Sequence, residues 1–173
     1  MKKISTRELA FLAICVILGL FAKRIVSPLT NSLTDFFRIP GGSAAVGFSL
    51  AFLVIGKRIA AAPFSASMMA FVQSVLALAL GFSGYQGALA LITYTLPGVV
   101  IDLTAYCMKK YDLVFCFLSC VLACLASALA SNLLVFHLQG IALLLWLLLA
   151  TFSGAIVGYL AQLISSRLVK IIQ

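Results

Sequence analysis

Charge is confined to the gaps in this chain. Twelve Lys and Arg and four Asp and Glu supply its ionic side chains, and nearly all fall between six apolar runs. The chain is 64% hydrophobic and 9% charged, whereas soluble domains average about a quarter charged residues. Its mean hydropathy is +1.22. Water cannot solvate such a surface, so the solvent has to be lipid. A bilayer core of ~30 Å requires about 20 mainly apolar residues per spanning helix. The runs extend from about Glu8 to Ala22, Ser43 to Gly56, Ile59 to Phe82, Gly87 to Met108, Leu113 to Phe136 and Ile141 to Leu168. The second is short. None shows the alternation of a membrane β-barrel. The expectation is an all-α integral membrane protein, one six-helix domain over residues 1–173.

The basic residues orient it. With the N-terminus inside, the cytoplasmic ends carry Lys2, Lys3, Arg7, Lys57, Arg58, Lys109, Lys110, Arg167 and Lys170. The outer ends carry Lys23, Arg24 and Arg38. Nine against three obeys the positive-inside rule, with six spans and both termini cytoplasmic. The first run follows Met1-Lys2-Lys3 as a signal peptide would, but no small-x-small site precedes Lys23, so a retained helix is expected. A net charge of +8 does not indicate nucleic acid, because the basic residues flank apolar runs and form no single stripe.

Several chemistries are disfavoured. Cys116, Cys120 and Cys124 recur every four residues and stack on one helix face. Without a C-x-x-C pair or an accompanying His, they read as packing residues and no metal site is expected. Gly81-Phe82-Ser83-Gly84 and the sole histidine, His137, hint at an intramembrane serine protease, but a four-residue match is weak and the His-x-x-x-Asn of that family is absent. No phosphate-binding loop or nucleotide fold is present. The chain is expected to be no enzyme and to carry no cofactor. Any ATP-driven motor would sit on partner subunits.

Asp102 lies inside the fourth run, on the inner side. An intramembrane carboxylate is a functional hypothesis by default, as proton relay, ion ligand or partner contact. It would then serve a stand-alone proton- or ion-coupled secondary transporter. The plainer reading is a structural pair with Lys109 or Arg7. Polar residues cluster at the outer ends: Phe36, Arg38, Tyr85, Gln86, Tyr94, Asn132, His137 and Gln139. Aromatic faces and amide edges among apolar walls suit a small heteroaromatic ligand. Taken singly, Tyr85 and His137 also fit plain interfacial anchoring. The gap from Lys23 to Gly42 is the longest and reads as a lid, in which Asp35 and Arg38 are spaced to pair. Small residues recur at four-residue spacing in Ser43-Gly47-Ala51, Ala66-Ala70-Ser74 and Ala150-Gly154-Gly158, a pattern that lets helix backbones approach.

Three stretches carry a family resemblance: Gly41-Gly42-Ser43-Ala44-Ala45-Val46-Gly47-Phe48, Ala60-Ala61-Ala62-Pro63 and Pro97-Gly98-Val99-Val100-Ile101-Asp102. With six spans and no ATPase, the chain resembles the substrate-binding S components of energy-coupling factor (ECF) transporters. The third stretch is similar to the branch linked to thiamine and its hydroxymethylpyrimidine precursor. The resemblance implies a multi-pass protein of the bacterial cytoplasmic membrane that binds a vitamin or vitamin precursor at its outer end. It further implies a scaffold T subunit and two ATPase subunits as partners, with ATP used by those partners. Docking would involve the first span at Ala10, Ala13 and Ile14, although the Ala-x-x-x-Ala face common in the family is absent there. Asp102 would serve coupling or structure.

Overall fold

The computed structural model of the chain describes residues 5–34, 42–82, 84–108 and 113–172. Every regular element among them is helical. Six α-helices follow one another: α1 (Thr6–Thr34), α2 (Gly42–Ala60), α3 (Ser65–Ala79), α4 (Ala90–Cys107), α5 (Leu113–Ser131) and α6 (Ile141–Ile172). Thr6–Thr30, Gly87–Cys107, Leu113–Phe136 and Ile141–Leu168 are long and apolar enough to cross a membrane, while Ser65–Ala79 is apolar but shorter. The chain is a multi-pass helical membrane protein. Its outward surface is correspondingly oily, with Ile14, Ile25, Leu133, Leu144 and Phe152 exposed.

The helices alternate in direction, so the bundle has two distinct ends. One gathers the start of α1, the α2–α3 turn, the end of α4, the start of α5 and the end of α6. It holds Arg7, Lys57, Arg58 and Arg167 and is called the basic end. The other is the far end.

Local chemistry sets the boundaries. α1 opens on a capping box, in which the Glu8 carboxylate accepts from the Ser5 N–H at 2.8 Å. It then runs to Thr34, well past the expected stop at Ala22. Lys23 and Arg24 are good helix formers and do not break it. Pro28 lies inside it and has no N–H for the Arg24 carbonyl. Downstream hydroxyls hold that turn: Thr30 Oγ1 reaches the Val26 and Ser27 carbonyls at 3.2 and 3.0 Å. Most of the expected Lys23–Gly42 loop is therefore helix, and residues 35–41 lie outside the described residues. The α2–α3 turn uses left-handed backbone at Ala61 and Phe64, with φ of 47° and 59°. α5 closes with a π-turn over Asn132–Phe136 and a left-handed His137.

Small residues close the interfaces. A Cβ at Gly154 would lie 2.9 Å from Val121 Cα, and one at Gly158 would lie 2.9 Å from Phe117 Cα. α6 therefore rides directly on the α5 backbone, with Cys116, Cys120 and Cys124 buried along that seam. A Cβ at Gly98 would lie 2.5 Å from Ala70 Cβ and 2.7 Å from the Ala66 carbonyl, so α4 meets α3 along the Ala66-Ala70-Ser74 stripe. Gly47 makes room for the Ser153 hydroxyl between α2 and α6. All three small-residue stripes thus contribute to internal packing.

Candidate functional site

Two polar clusters interrupt the apolar interior, one in each half. The larger convergence lies toward the far end. Lys23 of α1, Ser49 of α2, Gln73 of α3, Thr93 and Tyr94 of α4, and Ser127 and Ser131 of α5 line one cavity. Val46, Leu50 and Pro97 complete its wall. Its volume is about 20 Å³, room for roughly one water.

Gln73 anchors it. The side chain is 2% exposed, and a bare amide in that setting costs free energy unless it is hydrogen-bonded. Its Nε2 donates to the Val16 carbonyl at 3.1 Å, and its Oε1 accepts from Ser49 Oγ at 3.2 Å. Gly19 permits this reach, because a Cβ there would lie 2.5 Å from Gln73 Nε2. One amide so links α1, α2 and α3. Beside it, the Lys23 ammonium sits 3.6 Å from the centroid of the Tyr94 ring, a cation–π contact. Arg24, the next residue, lies over Phe82 at 5.2 Å. The cavity lining carries one cation and, among the described residues, no carboxylate.

The second cluster is at the basic end. Asp102 and Lys57 form an ion pair at 2.6 Å, with side chains 8% and 4% exposed. The Asp102 carboxylate also accepts from the Ser67 N–H at 2.7 Å, Ser67 Oγ at 2.6 Å and the Ala66 N–H at 3.4 Å. Ser65 begins α3, so Asp102 occupies the helix's N-terminal pole, where free N–H groups and the dipole favour negative charge. Lys57 completes the arrangement by donating to the Ala62 carbonyl at 2.7 Å. α2, α3 and α4 are clamped together. Nearby, Arg58 donates to Gln162 Oε1, to Ser165 Oγ at 2.9 Å and to Cys116 Sγ at 3.7 Å, joining α2 to α5 and α6. The clamp opens onto a groove of about 650 Å³ lined by Phe64, Leu103 and Tyr106 among others.

Asp102 thus pairs with Lys57 and not with the expected Arg7. α4 ends at Cys107 and Met108 is extended. Arg7 is exposed, and Lys109 lies outside the described residues.

Of the residues expected to contact a ligand, Tyr94 lines the cavity. Phe36, Arg38 and Asp35 lie outside the described residues, as do the side chains of Tyr85 and Gln86. Asn132 spends its amide locally: Oδ1 accepts from the Leu138 N–H at 2.7 Å and Nδ2 donates to the Leu138 carbonyl at 3.3 Å. His137 and Gln139 are exposed at the same turn, away from the cavity. Ser83 of the protease motif is outside the described residues. Among the described residues no group of three or more His, Cys, Asp or Glu could hold a metal. Ala10, Ala13 and Ile14 face outward from α1.

Lys23, Ser49, Gln73, Thr93, Ser127 and Ser131 were not expected at the site. The available signal was Gln73, the sole amide within the third apolar run, together with the Ser127–Ser131 pair one turn apart. No protein-family model, curated protein or solved structure matches the chain.

Proposed function

We propose that the chain is a membrane-embedded, high-affinity binding subunit of the S-component kind, capturing a vitamin or vitamin precursor for an ECF-type importer. The supporting observation is the far-half cavity, where polar side chains from five helices meet inside an apolar bundle. Intramembrane polar groups are expensive, and convergence of several on one cavity is how a membrane protein builds a solute site. In this reading all six helices span, both termini are cytoplasmic, and the cavity opens outward. Nine of the twelve basic residues then lie inside, in keeping with the positive-inside rule.

The chain does no covalent chemistry in this proposal. A scaffold T subunit and two ATPases supply the work, and the outward-facing Ala10, Ala13 and Ile14 offer a low-profile strip on α1 for the scaffold. Asp102 belongs to the inner clamp and does not meet the solute. Hydroxymethylpyrimidine is the first solute to test.

Uptake in cells is the test. Uptake should require co-expressed scaffold and ATPase subunits and should survive collapse of the proton gradient. Uptake that needs no ATPase and stops with an uncoupler would establish a secondary carrier instead.

A further inference from the structure

From the charge and crowding of the far-half cavity we infer the class of its ligand, resting on the binding-subunit reading above. The ligand is a small flat ring bearing an anionic or strongly accepting group and no permanent positive charge. It stacks on Tyr94 in the place now held by the Lys23 ammonium and receives that ammonium as a hydrogen-bond donor.

The cavity as it stands admits about one water. A ring can enter only where a side chain yields. Gln73 is tied to the Val16 carbonyl and to Ser49 Oγ, and Thr93 and Ser49 are buried on helix backbones. Lys23 has a flexible four-carbon stem, and its ammonium covers the Tyr94 ring at 3.6 Å. It is the movable wall. Displaced from the ring, the ammonium still lies in a lining with no carboxylate among the described residues. Hydroxyls and one committed amide are poor compensation for a half-buried cation. A ligand carboxylate or ring acceptor supplies what the lining lacks.

A permanently cationic ring would meet Lys23 instead. Two like charges about 5 Å apart at an effective dielectric near 20 correspond to a penalty on the order of 100-fold in affinity. The lining therefore selects against thiazolium- and pyridinium-type cations while accepting their neutral or anionic counterparts.

The experiment measures binding to the purified full chain by isothermal titration, using two matched pairs. One is neutral 4-amino-5-hydroxymethyl-2-methylpyrimidine against cationic thiamine. The other is anionic nicotinate against cationic N-methylnicotinamide. The expected result is that the uncharged or anionic member of a bound pair binds on the order of 100-fold tighter, and that Lys23→Met removes most of that preference without lowering the melting temperature. Mass spectrometry of small molecules co-purifying with the wild-type chain gives the charge class independently, and an anionic or neutral ring is expected. A wild-type chain that prefers the cationic member, or that co-purifies with a cation, overturns the inference and leaves the binding-subunit reading intact. A preference that persists in Lys23→Met overturns the assignment to Lys23. Absence of any bound probe and of any co-purifying solute overturns the binding-subunit reading itself.

Discussion

Replacing Lys57 with Met strands the Asp102 carboxylate at the basic end. Both side chains of the pair are less than a tenth exposed, at 4% and 8%. Removing one partner of a buried pair typically costs about 3–5 kcal/mol. Lys57→Met should fall near 3 kcal/mol on that range, because Asp102 keeps three donors from Ala66 and Ser67. Asp102→Ala should fall nearer 5 kcal/mol, since it leaves an ammonium unpaired and also uncaps α3, itself worth about 1 kcal/mol. The double change Lys57→Met with Asp102→Asn buries no charge and retains a carbonyl oxygen for the Ser67 N–H. It should sit within about 1 kcal/mol of the parent. For a chain of this size each kcal/mol corresponds to about 2–4 °C. Apparent melting temperatures by far-UV circular dichroism in one detergent should therefore fall by about 6–12 °C for Lys57→Met and recover to within about 4 °C in the double variant. A double variant that melts at or below the worse single variant would refute the electrostatic account of the clamp.

Two further outcomes follow from packing and exposure. Gly158→Val should separate α5 from α6, because even a Cβ there meets Phe117 Cα at 2.9 Å. A loss of about 1–3 kcal/mol is expected, while Ala155→Val on the partly buried flank of the same helix should leave the melting temperature nearly unchanged. Maleimide should modify one thiol, Cys107, in the folded chain, since Cys15, Cys116, Cys120 and Cys124 are buried. Mass spectrometry showing early modification at Cys120 would contradict the α5–α6 seam.

Most of the helices are legible because each is an apolar run long enough to be read without knowing its neighbours. The end of α1 is not legible, because Lys23 and Arg24 look like the close of a span while both favour helix, and Pro28 is accommodated inside it. Tyr94 was legible as a site residue because an aromatic near a helix start invites the reading. Ser49, Thr93, Ser127 and Ser131 were not, since a hydroxyl in an apolar run can satisfy itself on its own helix backbone. Lys23 reads in sequence as a topology signal, and only the three-dimensional arrangement brings it over Tyr94. Asp102 was conspicuous, but its partner lies 45 positions earlier in the chain, across a contact that spacing along one helix cannot show.

The clamp of Lys57, Asp102 and Ser67 also fixes the kind of motion open to α2, α3 and α4. They are fastened by an ion pair at the basic end, and in the far half they border a small cavity bridged by the single Ser49–Gln73 contact. Movement that keeps the fastening intact is a change of angle, as in tweezers, and not a sliding of one helix along the next. α3 has 15 residues, about 22 Å of axis at ~1.5 Å per residue. A tilt of about 5° over that length parts the far tips by on the order of 2 Å. Small rotations about the basic end thus add to the room that Lys23 opens when it leaves the Tyr94 ring.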